Sequence, residues 1–278
     1  MAKIVFMTTG LLHEPWGHPQ VREFEDRIAG VFGGAASCQG FLGLRWPPGD
    51  STPLVYRTPD QAGRTANTLT VWQDLESAFA FAYAGLHAEA MGKRQDWFAH
   101  SEWPGYAAWW VPDDHEPTWP DVHAHFDRLC HDGPSPDAFD FKHAFGPDGQ
   151  PYQLDREAAK VLMRRNKMQG VLTGYLGAWN EPDAATRRLL LDRVWAPDGH
   201  YTDPGSHATD LAGLDAIIGA FHAANPGAVF SQEGDFDLHH SHVRFFWHLT
   251  LRPGVELRGM DYAQVNAAGQ IKTIVGFF

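Results

Sequence analysis

Basic side chains are in short supply. The 278-residue chain carries 22 Lys and Arg against 34 Asp and Glu, a formal net charge of −12. A nucleic-acid groove needs clustered cations to neutralise phosphate, and attachment to an anionic lipid surface needs the same. Neither nucleic acid nor membrane is therefore an expected partner. Cysteine is scarcer still. Cys38 and Cys130 share no close spacing and read as two buried thiols in a reducing cytoplasm rather than as a disulfide. No apolar run has the length that spanning a bilayer requires. Residues 1–10 hold only a short apolar run and read as a first strand, not as a targeting segment. No internal repeat stands out. The expectation is a soluble, cytoplasmic protein.

Apolar residues are plentiful, at 44%, with 11 Trp and 18 Phe, enough for a sizeable core or an apolar pocket. The length allows two ordinary domains. A Gly- and Pro-rich stretch at 145–152 would stop helix and strand alike, which puts one domain at 1–150 and another at 151–278. In the first, residues 3–9, 40–46, 68–72 and 106–111 read as strands. Residues 20–32 read as an amphipathic helix, with Val21, Phe24, Ile28 and Phe32 on one side. Asp74 caps a helical stretch running through His87 to residue 98. This β-α-β-β-α-β order fits a ferredoxin-like α+β sandwich, followed by an added helix at 119–129 and a loop at 133–139.

The second domain places helices first (156–180, capped by Asp155, and 184–195), then a strand at 200–202 and a helix at 211–223. Strands at 229–236, 243–251, 255–265 and 271–278 follow, so an α+β domain is expected. Along 243–249, Val243, Phe245, Trp247 and Leu249 share one face and Arg244, Phe246 and His248 the other. Large aromatics on both faces suggest a curled sheet covered on both sides around a cavity.

Three polar residues of this second domain suggest chemistry: Tyr175 on the long helix, Asp203 before Pro204 after a short strand, and Asp261 in a late strand. Two carboxylates and a phenol in one pocket can move a proton next to a carbonyl. Burial raises the pKa of a base towards working pH, and a phenol with a neutral carboxylic acid supplies two donors for developing enolate charge. Phe221, Phe230, Phe245, Phe246 and Trp247, with Arg244, would line a pocket for a flat, apolar, cyclic substrate. Plainer roles stand beside these: Asp203-Pro204 as a simple turn, Asp261 as an acceptor for backbone, Arg244 or Arg258, and Tyr175 as a core tyrosine.

Several stretches carry a resemblance. Tyr175 five residues before Asn180, the run 195–204 ending in Tyr201-Thr202-Asp203-Pro204, residues 211–217, Gly259-Met260-Asp261 and the ending 266–278 are similar to the SnoaL-like family. That family shares the cone-shaped α+β fold of nuclear transport factor and ketosteroid isomerase. The resemblance implies Asp203 as general base, Tyr175 as an oxyanion-hole tyrosine and Asp261 as a protonated oxyanion donor. The segment 180–200 is a few residues longer here.

In the first domain, residues 70–79, Gly85 to Glu89, Lys93 to Phe98, 108–112 and 133–139 resemble an uncharacterised bacterial family related to antibiotic-biosynthesis monooxygenases. Those relatives are dimeric α+β barrels, some oxidising polycyclic phenols without a cofactor, others binding haem through one histidine. The resemblance implies a homodimer. His87, with Arg94 seven residues on and on nearly the same face and Trp72 and Trp97 as neighbours, is the residue for substrate contact, base catalysis or haem ligation, against the plainer role of a packed histidine. Trp109-Trp110 reads as sheet and interface filling, and His13, Trp16 and His18 would rim a pocket. The histidines at 239, 240 and 242 fall at a hairpin turn, and His123 and His125 point about 200° apart on a helix. No metal and no cofactor is expected, haem aside.

The expected whole is a ferredoxin-like dimeric α+β barrel followed by a SnoaL-like α+β cone. The expected function is isomerase or cyclase chemistry of secondary metabolism on a hydrophobic carbonyl compound. The alternatives are a monooxygenase acting in the first barrel and a non-catalytic binder of an apolar metabolite.

Overall fold

The computed structural model describes residues 2–61 and 63–278. The chain is a mixed α+β protein that divides into two compact units, Met1–Asn166 and Lys167–Phe278.

The first unit is built on strand β1 (Ala2–Leu11), whose Ile4, Val5, Phe6 and Met7 are all buried. A strand buried on both faces shows an unbroken apolar run instead of alternation. Helix α1 (Arg22–Ala36), β2 (Phe41–Leu44), β3 (Thr65–Trp72), a helical segment and β4 (Tyr106–Pro112) complete a β-α-β-β-α-β succession. The sheet is fully antiparallel in the order β2-β3-β1-β4. The expected continuous helix after Asp74 is three short ones: α2 (Leu75–Ala82), α3 (Gly85–Gly92) and α4 (Arg94–Trp97). Asp74 does cap the first, accepting from Ser77 N at 2.7 Å. The chain then breaks because Ala84 is extended and Gly85 takes φ +54, a left-handed value glycine tolerates.

Helix α5 (Trp119–Asp132) opens with a capping box between Thr118 and Asp121 and buries Trp119, Val122, Phe126 and Leu129. This stripe packs on Val5, Met7, Leu69, Val71, Trp109 and Val111. The opposite face, with Ile4, Phe6 and Trp72, packs on Ala35 of α1 and Leu75 and Ala78 of α2. Both faces of the sheet are thus covered by the chain itself. The face-to-face packing of two sheets expected of a dimeric barrel finds no free face here, because α5 occupies it.

The second unit follows from α6 (Arg156–Trp179), a helix that begins at Asp155, whose carboxylate accepts from Glu157 N and Ala158 N at 3.0 Å each. Then come α7 (Ala184–Val194), β5 (Trp195–Thr202), β6 (His207–Ala208), α8 (Leu211–Ala224), β7 (Val229–His239), β8 (His242–Arg252), β9 (Val255–Val265) and β10 (Ile271–Phe277). The sheet order is β6-β5-β10-β9-β8-β7, antiparallel except for the β5–β10 pair. The residues 196–199 are taken up by a register shift, since Trp195 pairs with Ile271 while His200 pairs with Thr273. Leu172, Tyr175, Leu176 and Trp179 of α6, Leu191 and Val194 of α7, and Leu211, Leu214 and Ile218 of α8 cover the inner face, carried by Val243, Phe245, Trp247 and Leu249. The expected covering of both faces of β8 does not occur. Phe246 is 45% exposed and Arg244 is also exposed, because alternation turns them to the outer face.

Both cysteines are free and half-buried, not fully buried as expected. Desolvation pushes the Cys38 thiol up to about 11 and Cys130 to about 12. Among the described residues, no helix is long and apolar enough to cross a membrane.

Candidate active site

The inner face of the second unit brings together Tyr175, Asp203 and Asp261. Tyr175 lies on the buried stripe of α6, 1% exposed, its ring stacked on Trp195 (centroids 6.1 Å apart, 15° between planes) and edge-on to Phe245 at 6.2 Å. Its hydroxyl donates to Asp261 Oδ2 at 3.3 Å. The other oxygen of Asp261 accepts from Trp247 Nε1 at 2.9 Å. Asp261 is 5% exposed, and removal from water raises its pKa to about 6; the two donors oppose this rise and the charge of Asp203 adds to it. Burial likewise holds the Tyr175 hydroxyl well above its ordinary pKa, so it stays protonated and able to donate.

Asp203 lies at the end of β5. One carboxylate oxygen accepts from the backbone N–H of Gly205 and Ser206, the Asx-turn expected of an Asp-Pro step. The other accepts from the Tyr201 hydroxyl at 2.7 Å. The turn and the site are therefore one feature, and the two readings of Asp203 are compatible.

Gly276 joins the two carboxyl groups. It pairs with Asp261 on β9, and its neighbour Val275 pairs with Thr202 on β5. A β-carbon on Gly276 would stand 3.1 Å from Asp261 Oδ1 and 3.5 Å from Asp203 Cβ. The absence of a side chain lets both aspartates pack closely against the backbone of β10.

Of the expected pocket wall, Phe221, Phe230, Phe245 and Trp247 stand on the inner side. Phe230 packs on Trp247 at 5.4 Å, Phe221 on Phe230 at 5.4 Å, and both on Trp179, at 5.7 Å from Phe221 and 5.3 Å from Phe230. Phe246 and Arg244 do not join them. Arg244 lies over the Phe246 ring at 5.7 Å and pairs with Asp237 on the outer face. Two cavities, of about 480 and 430 Å3, lie on that outer side, bordered by Phe246, Met260 and Phe277 in one and His239, His242 and Tyr262 in the other.

The sequence does not single out Tyr201, the donor role of Trp247, or the glycines at two close approaches, Gly276 beside the two carboxyl groups and Gly259 opposite Trp247. A small residue paired with a large or charged one across a strand was the available signal, and it requires the register to be known.

His87 belongs to the first unit. Its Nδ1 lies 2.8 Å from the carbonyl oxygen of Ala82 and its ring 4.9 Å from Phe81. Burial lowers its pKa, so the ring is neutral and Nδ1 donates its proton to that carbonyl. His125 stacks on Trp109 at 4.6 Å, and His240 takes a positive φ in the β7–β8 turn. Among the described residues, no three His, Cys, Asp or Glu side chains are grouped as a metal site requires.

Comparison with known proteins adds the following. No curated protein matches the chain. Among solved structures, the chain is similar to a proposed isomerase of the SnoaL-like family from Agrobacterium tumefaciens, with 34% identity over 40% of this chain and 96% of that one, at a TM-score of 0.38. It is also similar to a proposed polyketide cyclase from Sinorhizobium meliloti (14% identity, 38% and 93% covered, TM-score 0.33). A proposed SnoaL-like polyketide cyclase from Jannaschia sp. CCS1 is similar as well (12% identity, 39% and 84% covered, TM-score 0.33). A family model described as a domain of unknown function (DUF3291) matches residues 3–155, more than half of the sequence, and the chain belongs to that family.

Proposed function

We propose that the second unit is a SnoaL-like enzyme that transfers a proton on a hydrophobic, cyclic carbonyl compound, as an isomerase or cyclase does. The observation that carries this reading is the convergence at Gly276 of Asp203 and the buried Asp261, the latter hydrogen-bonded to the Tyr175 hydroxyl. The 34% identity to a proposed isomerase, across 96% of that protein, supports it from sequence.

In this reaction Asp203 takes the proton from the carbon next to the carbonyl. The backbone N–H groups of Gly205 and Ser206 and the Tyr201 hydroxyl fix the carboxylate in place. The electron pair of the broken C–H bond moves onto the carbonyl oxygen. That oxygen is met by the Tyr175 hydroxyl and, when protonated, by the Asp261 carboxyl group. Trp247 engages Asp261 Oδ1, leaving Oδ2 as the oxygen that faces Tyr175 and can carry the proton. Protonated Asp203 then returns its proton to a different carbon, which completes an isomerisation with no net change in atoms.

The experiment is α-proton exchange of 2-tetralone in D2O, followed by NMR with purified full-length protein. Asp203→Asn is expected to lower the exchange rate by about 10²–10⁴-fold. Asp261→Asn and Tyr175→Phe are each expected to lower it by about 10–10³-fold. Exchange at the parental rate in a variant lacking all three groups sinks the proposal.

A further inference from the structure

A buried indole N–H without an acceptor costs about 1–3 kcal/mol, and buried tryptophans ordinarily find a partner. In the second unit the N–H groups of Trp179 and Trp195 are both fully buried and complete no hydrogen bond. The two differ in what surrounds them. Trp195 is closed off by its own strand, since a β-carbon on Gly199 would collide with its Nε1. No ligand atom has room there.

Trp179 is placed otherwise. It is 6% exposed and stands one helical turn after Tyr175 on α6. Its ring packs on Tyr201 at 5.6 Å as well as on Phe221 and Phe230. Its N–H is close enough to the Tyr175 oxygen to offset part of the effect of burial on that phenol, yet lies outside hydrogen-bond geometry. Phe221 and Phe230 are themselves half-buried, so the aromatic layer over the indole reaches solvent. An unused donor therefore faces the proposed reaction centre from beneath a partly open aromatic layer.

We propose that the Trp179 N–H is a substrate-binding donor which, with the Tyr175 hydroxyl, holds the oxygen of a planar aromatic or cyclic ketone, or of its enol, entering past the half-buried edge of Phe221 and Phe230. This rests on the proton-transfer reading above. An indole N–H only donates, so the group it takes must be an acceptor, and the bond strengthens as that oxygen gains negative charge. The site thus binds a flat ring system with an oxygen on one edge more tightly than the bare hydrocarbon.

The test uses full-length protein with ¹⁵N-labelled indoles, titrated with 2-naphthol and separately with naphthalene. The Trp179 resonance is identified by its NOEs to Tyr201 and Phe221 ring protons. It is expected to move downfield with 2-naphthol and to stay in place with naphthalene. Trp179→Phe is expected to lose about tenfold in affinity for 2-naphthol and to bind naphthalene as the parent does. An unmoved resonance at saturation, no binding of 2-naphthol, or an equal loss of both ligands in the variant overturns the proposal. If Trp179→Phe does not fold, the parental resonance decides alone. Loss of exchange in Asp203→Asn with an unmoved Trp179 resonance would reject this donor and leave the proton-transfer reading standing. A moved resonance in a parent that exchanges nothing would do the reverse.

Discussion

The indole of Trp247 lies against the backbone of Gly259, the residue directly opposite it on the neighbouring strand. The pair is in register on β8 and β9, and a β-carbon on Gly259 would collide with the six-membered ring of Trp247. Only with the ring in this place does its N–H reach Asp261, two residues further along β9. Gly259→Ala is therefore expected to displace the indole and release Asp261 Oδ1. The expected cost is about 1–3 kcal/mol, as for other overpacked interiors. Urea unfolding of parent and variant measures it, and an unchanged midpoint would show that the ring can shift freely.

Asp261 gives the protein a specific dependence on pH. Its pKa is about 6 in the folded chain against an ordinary 3.8. Between these values the folded state holds more protons than the unfolded one, so stability falls as pH rises through this window and then levels off above about 6. The size of the fall is about 3 kcal/mol. In Asp261→Asn this contribution disappears, and the difference between parent and variant across pH 4 to 7 isolates it in denaturant titrations. A difference that does not change with pH would mean that the carboxyl group ionises as it does in water. The same protonation governs the proposed reaction: turnover that uses neutral Asp261 declines as pH rises through about 6.

Phe126 tests how the first sheet is covered. Its ring is fully buried beneath α5, against the sheet face that carries Val5, Leu69 and Trp109. Phe126→Ala is expected to cost about 3–5 kcal/mol. The unfolding midpoint of the parent should not vary with protein concentration, because this face is buried without a second subunit. A midpoint that rises with concentration would favour the barrel dimer that α5 argues against.

Much of the second unit was legible because its signals are local. Asp155, Asp183 and Asp210 each precede a helix and each cap one, and the alternation around Phe245 places that residue inward as its period requires. Tyr175 and Asp261 stand out through the resemblance to the SnoaL-like family; β9 carries a second carboxyl, Glu256, so residue type alone does not choose Asp261. What failed depended on pairing between distant strands. Phe246 belongs to the pocket only if the sheet is covered on both faces, and nothing in β8 itself says which face stays open. Tyr201 escaped notice because its bond to Asp203 lies within a strand end that reads only as a turn. Helix α5 was recognised as a helix, but its amphipathic stripe does not name the sheet face that receives it.

The place of β10 has a consequence for the order in which the protein folds. The strands β7, β8 and β9 meet through short turns, so their contacts close small loops and can form early. Strand β10 joins β9 through a similarly short turn, but its pairing with β5 joins residues some seventy positions apart and forms late. Until it does, Asp203 and Asp261 belong to separate pieces of chain. The proposed reaction centre is thus the last part to assemble, and pulsed hydrogen exchange during refolding should find the amides of β8 protected before those of β5. Under the proposed reaction, catalytic competence and completion of the sheet become the same event, so no partly folded form carries one without the other.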